Sequence, residues 1–128
     1  MKKALLTSLI LLALNAQAES VFRRSNGAEP KSIDPQLASE NAGSNVIYDT
    51  FEGLVSNTAN GELIPGVAEK WEISDDGKTY TFHLRENAKW SNDTPVTAGD
   101  FVYAWRRAVN PATGGEYAFI LYPVKNAE

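Results

Sequence analysis

The stretch that decides the fold is residues 71–84, WEISDDGKTYTFHL. Apolar and polar residues alternate on both sides of the sequence DDGK at 75–78, and this period of two predicts two strands joined by a tight turn. Five apolar side chains would then share one face of the hairpin, which predicts a sheet with one buried side. They are Trp71, Ile73, Tyr80, Phe82 and Leu84.

A helix is predicted downstream of this hairpin. After a turn-rich loop at 90–95, the sequence TAGD at 97–100 is typical of a capping box, with Asp in place of the commoner Glu. The NP pair at 110–111 ends the helix, because proline cannot continue it. Arg106 and Arg107 fall in the last turn, where cations suit the helix dipole, and we interpret them as a solvated face. One stripe of the helix is apolar, and we expect its side chains to pack in the core: Phe101, Trp105, Ala108 and Val109.

Weaker patterns lie on both sides of this region. The NG pair at 60–61 predicts a second tight turn, between short strands at 54–55 and 63–64. Residues 67–70 fit one helical turn. Residues 112–115 are predicted to form a loop, followed by an apolar run at 117–124.

The first part of the chain is predicted to hold little regular structure. Residues 21–26 fit a short strand, and residues 39–42 are expected to stay irregular. Ser44 or Asn45 would cap a helix that Gly53 ends.

The N-terminus has the three parts of a secretory signal peptide, namely a basic head, an apolar run and small residues at a cleavage site. The head is MKK at 1–3, the apolar run is 4–14, and AQA at 16–18 supplies the small residues. The run is too short to span a bilayer, which takes about 20 apolar residues. We therefore expect residues 1–18 to be removed, so that the exported chain begins at Glu19.

Composition narrows the function classes. The 128 residues include 12 basic and 16 acidic side chains, and loss of the signal peptide would change the net charge from −4 to −6. An acidic chain has no electrostatic attraction to nucleic acid, so we expect none as a partner. The chain has no cysteine, so no disulfide holds it together and no lipid anchor follows the cleavage site. These features predict a free protein in the periplasm of a Gram-negative cell.

Little in the sequence supports catalysis. His83 is the single histidine, and its strand position places it on the solvent face of the hairpin. The DD pair at 75–76 is explained by its turn, and the GG pair at 114–115 lacks the lysine of a phosphate loop. No nucleophile–base pair or metal-ligand set is visible, so we expect no enzyme, no metal and no cofactor. From its spacing alone, Tyr117 is more often a packed side chain than a ligand contact.

Longer motifs resemble a known family. FEGLV at 51–55, PGVAEKWEIS at 65–74 and YTFHLRENAKWSNDTPVTAGDFVYAWRRAVNPATG at 80–114 are similar to periplasmic oligopeptide-binding proteins of the peptide and nickel solute-binding family. SIDPQLASENAGSNVIYD at 32–49 resembles them too. The likeness extends from Val21 to about Leu121.

The resemblance implies an α+β fold, the N-terminal portion of a two-lobed, type II periplasmic binding protein-like fold with mixed sheet, hairpins and short helices. It implies a signal peptide at 1–18, a first segment of the ligand-binding lobe at 19–50 and an incomplete additional α/β domain at 51–128. Family members are several times longer, so we expect this chain to be a fragment that does not bind ligand alone.

The resemblance also implies a ligand and partners. Short peptides would be bound as an added strand against backbone groups, and the protein, a monomer, would deliver them to an inner-membrane permease of an ABC importer. The family's strand segment aligns with Ser39, Glu40 and Asn41, where the local sequence differs, so backbone pairing is expected rather than particular side-chain roles. A tyrosine that lines the family's cleft aligns with Tyr117.

Two alternatives stay open. The chain is either part of a solute-binding protein or a small secreted domain used for protein contact, with the apolar run at 117–124 as its surface. Within the first alternative, the solute is a peptide or one of the other ligands of the family: a dipeptide, heme, nickel or a steroid-like acid.

Overall fold

The computed structural model describes residues 20–127; the predicted signal peptide, residues 1–18, and Glu19 lie outside them. The helices and strands are α1 (Asn41–Thr50), β1 (Val55–Asn57), β2 (Leu63–Pro65), β3 (Ala68–Ile73), β4 (Tyr80–Leu84) and α2 (Ala98–Val109). Two 3₁₀ turns follow, Pro111–Thr113 and Ala118–Leu121. Within residues 20–127, no helix combines the length and the apolar character needed to cross a bilayer.

The hairpin of β3 and β4 confirms the prediction from residues 71–84. The strands are antiparallel, with Trp71 opposite Phe82 and Ile73 opposite Tyr80, so these four side chains share one face. Gly77 in the turn has φ 68°, a left-handed conformation that glycine adopts without strain. The face is only partly covered, because Ile73 is 51% and Tyr80 55% exposed.

The second hairpin, β1 with β2, is also confirmed, with Gly61 in its turn at φ 82°. The backbone N–H groups of Val67 and Ala68 donate to the carbonyls of Gly53 and Leu54, at 2.9 and 3.0 Å. The prediction of a helical turn at 67–70 is wrong. Those residues are extended because their backbone bonds go to residues 53–54 and to β4.

Helix α2 begins where the sequence predicts. The Asp100 side chain accepts from the Thr97 backbone N–H at 2.7 Å and from the Thr97 hydroxyl at 3.0 Å. Asn110 caps the other end, but the predicted loop behind it begins with a 3₁₀ turn. Trp105 was predicted to pack in the core, but it is 42% exposed among the described residues.

Helix α1 begins earlier than predicted. Asn41 and Ala42 lie in its first turn rather than in an irregular segment, and Glu40 is the N-cap residue instead of Ser44 or Asn45. Glutamate is not among the usual capping residues, so the local sequence favoured the wrong start.

Two further predictions near this helix are wrong. Helix α1 ends at Thr50 with Phe51 as its extended cap, so Gly53 does not end it. Residues 21–26 form no strand, since no strand of the described residues pairs with them.

Buried apolar side chains are few in residues 20–127. Ala42, Val67 and Ala68 are the buried apolar residues there, at 9%, 8% and 0% exposure. The larger apolar residues of the hairpins and of α2 are half-buried or exposed. The apolar faces of these elements are therefore available for contact with further structure.

Candidate functional site

The segment before α1 carries three of the four predicted ligand-binding residues. Ser39 and Glu40 are half-buried, and Glu40 is extended at φ −128° and ψ 160°. Asn41 is the first residue of α1 and is exposed. Within the predicted strand segment, Glu40 is thus extended and Asn41 already belongs to the helix.

The carboxylate of Glu40 is occupied by the protein's own backbone. Its Oε2 accepts from the Gly43 N–H at 2.6 Å, and its Oε1 accepts from the Lys31 N–H at 2.8 Å. The hydrogen bond from Gly43, followed by that from Lys31, lowers the pKa of Glu40 below its ordinary value. This side chain stabilises the start of α1, and both of its carboxylate oxygens already accept hydrogen bonds from the protein's own backbone.

Backbone groups of the same segment are unused. Across residues 20–127, neither the N–H nor the carbonyl of Ser39 forms a hydrogen bond. The N–H of Asn41 also has no partner there, because it belongs to the first turn of α1, where helical bonding leaves donors free. The segment therefore offers two backbone donors, at Ser39 and Asn41.

The fourth predicted residue, Tyr117, directly precedes the 3₁₀ turn Ala118–Leu121. Its side chain is half exposed, and its ring lies 6.0 Å from that of Phe119 at an angle of 51°. Within the part of the chain that the structure describes, its hydroxyl forms no hydrogen bond. Tyr117 is thus a partly packed ring with a free polar end.

A polar cluster ties the segment before Ser39 to α2. The guanidinium of Arg107 donates to both carboxylate oxygens of Asp34, at 2.9 and 2.6 Å. Gln36 donates to the carbonyl of Ala104 at 2.6 Å. The side-chain hydrogen bond from Arg107 holds the pKa of Asp34 below its ordinary value. Arg107 is therefore a structural partner, and its interpretation as a solvated face is wrong.

The same segment touches the loop that leads to Tyr117. Gly115 lies so close to Gln36 that a Cβ atom at Gly115 would be 2.6 Å from the carbonyl oxygen of Gln36. The structure thus joins the chain just before Ser39 to the chain just before Tyr117. The sequence pattern gave no sign of this contact, because the partners are more than 70 residues apart.

The other polar groups considered from the sequence have structural roles. His83 lies 3.1 Å from the Glu72 carboxylate across the hairpin, on its exposed side. Asp76 accepts from the Ser74 hydroxyl at 2.6 Å and from the Lys78 N–H at 3.1 Å, which forms the turn. In residues 20–127 no three His, Cys, Asp or Glu side chains are grouped as a metal site would need.

A shallow groove of about 460 Å³ runs along α2. Among the residues that line it are Val102, Tyr103 and Arg106, and it contains none of the four predicted ligand-binding residues. The predicted site and the groove are separate features of the surface.

Comparison with known proteins identifies the family. A family model described as bacterial extracellular solute-binding proteins, family 5 Middle, matches residues 62–128. The periplasmic oligopeptide-binding protein OppA of Haemophilus influenzae is 48% identical over 100% of this chain and 26% of its own length. The probable deoxycholate-binding periplasmic protein YgiS of Escherichia coli is 46% identical over 78% of this chain and 19% of its own length.

A solved structure is similar as well. The Haemophilus influenzae OppA complex with the peptide RPPGFSPFR matches with a TM-score of 0.76 and 53% identity, over 80% of this chain and 20% of that one. The hairpins and helices are thus an N-terminal portion of a periplasmic binding protein-like fold, as predicted from the sequence. The chain belongs to family 5 of the bacterial extracellular solute-binding proteins, and it spans about a quarter of the length of the first of these relatives.

Proposed function

We propose that this chain forms one wall of a periplasmic binding protein that takes up oligopeptides for an ABC importer. The observation that carries the proposal is the segment at 39–41, at the start of α1, where the backbone N–H groups of Ser39 and Asn41 are unused. A peptide bound there adds a strand, and main-chain hydrogen bonds hold it without reading its sequence. The names of the oligopeptide-binding relatives support the same ligand class.

The proposal includes the organisation of the exported protein. Residues 1–18 direct export and are removed, residues 19–50 begin the ligand-binding lobe, and residues 51–128 belong to an additional α/β domain. The protein acts without catalysis, as a monomer that presents its ligand to an inner-membrane permease. Tyr117 contributes its ring and free hydroxyl to the cleft.

The experiment uses a chimera, called here the graft chimera. Residues 19–128 replace the matching N-terminal segment of the Haemophilus influenzae relative, so that the rest of that protein supplies the opposite wall. Isothermal titration calorimetry with RPPGFSPFR measures the affinity. We expect saturable binding. A folded graft chimera that gives no heat with this peptide or with shorter ones would remove the proposal.

One variant tests the backbone donor directly. Asn41→Pro removes the N–H of residue 41, yet proline is favoured at the first position of a helix. The extended conformation of Glu40 also suits a residue that precedes proline. Loss of one hydrogen bond predicts peptide affinity about three- to tenfold weaker. Asn41→Ala keeps the donor and is the matched control, with unchanged affinity expected.

A second solute class is favoured by one observation, the similarity to the deoxycholate-binding relative. A bile acid has no peptide backbone to pair with residues 39–41. Titration of the graft chimera with deoxycholate separates the two classes, since binding of deoxycholate that is insensitive to Asn41→Pro supports the second class.

A further inference from the structure

Arg107 and Asp34 form a two-pronged ion pair between α2 and the segment before Ser39. Nη1 and Nη2 of Arg107 lie 2.9 and 2.6 Å from the two carboxylate oxygens of Asp34. Both side chains are about one-third exposed, at 32% and 30%. A bidentate pair of guanidinium and carboxylate fixes the relative orientation of the two groups as well as their distance. A single point charge, such as a lysine ammonium, fixes only the distance.

Gln36 extends the ion pair into a cluster. Its side-chain oxygen accepts a second bond from Nη1 of Arg107, and its side-chain nitrogen donates to the carbonyl of Ala104. The backbone N–H of Gln36 donates to Asp34 at 3.0 Å. Asp34 and Gln36 are thereby both bonded to α2. Ser39 follows only three residues later.

The turn at 34–36 is held on a second side by Gly115. The space there is full, because a Cβ atom on Gly115 would lie 2.6 Å from a backbone oxygen that cannot rotate away. Tyr117 follows two residues after this contact. The position of residues 39–41 relative to Tyr117 is therefore set by Arg107 from one direction and by Gly115 from the other.

We propose that Arg107 is a positioning residue for ligand binding, which acts through Asp34 and Gln36 to hold the 39–41 donor segment at a fixed distance from Tyr117. The inference rests on the proposed function and adds to it the residues that set the geometry of the wall. None of these residues needs to touch the ligand. A peptide strand bonds well only if several donors and the aromatic contact are in register at once, so a displaced segment weakens binding while the fold persists.

The test compares matched pairs of variants in the graft chimera. Arg107→Lys keeps the positive charge and loses the bidentate contact with Asp34. Arg106→Lys is its control, because it makes the same change at the exposed neighbouring residue. Gly115→Ala fills the tight contact and removes neither partner of the ion pair. Gly114→Ala is its control, because no atom lies within 4 Å of a Cβ there while the φ of +70° makes alanine strained. Gly114→Ala therefore perturbs the loop without pushing on Gln36.

Two readouts are measured for each variant that folds: the peptide dissociation constant at 25 °C and the thermal midpoint without peptide. We expect Arg107→Lys and Gly115→Ala each to weaken the affinity about tenfold, the loss of one or two hydrogen bonds. Arg106→Lys and Gly114→Ala leave it within about twofold, even where Gly114→Ala lowers the thermal midpoint.

The outcomes separate this inference from the proposed function. A purely structural role for Arg107 predicts lower thermal midpoints with unchanged affinity for Arg107→Lys and Gly115→Ala, and that result overturns the inference alone. Failure of the unsubstituted graft chimera to bind peptide overturns the proposed function instead. If Arg107→Lys does not fold, Gly115→Ala decides, since it leaves every charged partner in place.

Discussion

The N-terminal turns of the two helices each contain a glycine, and the structure predicts opposite effects when each is changed to alanine. Gly43 is the third residue of α1, and Gly99 is the second residue of α2. Alanine in place of glycine stabilises a helix by up to about 1 kcal/mol, because the unfolded chain loses less freedom on folding. Helix propensity alone thus predicts that both substitutions stabilise.

Steric contact reverses the sign at Gly43. A Cβ atom there would lie 2.5 Å from the carbonyl oxygen of Ser32 and 3.1 Å from the Cβ of Ala38. Forcing an extra carbon into a filled site costs about 1–3 kcal/mol. The cost exceeds the gain, and the net effect of Gly43→Ala is a loss of about 1 kcal/mol from the local stability of α1. At Gly99 the nearest atom is 3.4 Å away, so the gain remains.

Hydrogen exchange measured by mass spectrometry on the graft chimera reports the local stability of each helix separately. A single melting curve of a large protein does not give this information. We expect amides of α1 to exchange about fivefold faster in Gly43→Ala, and amides of α2 to exchange about two- to fivefold slower in Gly99→Ala. Slower exchange of α1 in Gly43→Ala would refute the reasoning, because it would mean that Ser32 moves aside at no cost.

Two more predictions concern α2 and the leader. The hydrogen bonds from Thr97, first from its backbone N–H, hold the pKa of Asp100 below its ordinary value of 3.8. The stability that ionised Asp100 gives to α2 is therefore complete above pH 3.8 and is lost as the pH falls through the lower pKa of the folded state. Exchange of α2, corrected for the intrinsic rate, should therefore rise on acidification below 3.8 in the parent and less in Asp100→Asn; equal acid dependence would contradict the assignment. The exported chain should begin at Glu19 when its N-terminus is sequenced. Ala18→Leu should block cleavage and Gln17→Leu should not, since the peptidase recognises only the small residues at 16 and 18. A product that starts at another residue would exclude this leader.

The sequence predicted those parts of the fold that short-range chemistry determines. Both hairpins form because glycine at 61 and 77 adopts the left-handed turn conformation and the flanking residues alternate. Helix α2 begins at Ala98 because its cap, Thr97, and the partner of that cap, Asp100, are three residues apart. Each of these features lies within a few residues of its cause.

Features with distant partners were missed or misplaced. Residues 67–70 are extended because Val67 and Ala68 bond to residues 53–54. Glu40, the cap of α1, also accepts a hydrogen bond from the backbone of Lys31, nine residues earlier. The bond between Arg107 and Asp34 joins residues 73 positions apart, and no periodicity encodes it. For the site, the family resemblance selected the 39–41 segment and Tyr117, whereas the residues that join them needed the structure.

The pairing of Asp34 with Arg107 also constrains how this region can change by recombination. Two complete hairpins lie between the acid and the guanidinium along the chain, so a crossover at either hairpin would bring together an acid and a base inherited from different parents. Where a relative differs at either position, a functional exchange has to keep both ends of the bond, and residues 34–107 are then expected to be inherited as one block. Libraries of shuffled binding proteins should show fewer surviving breakpoints within that interval than on either side of it.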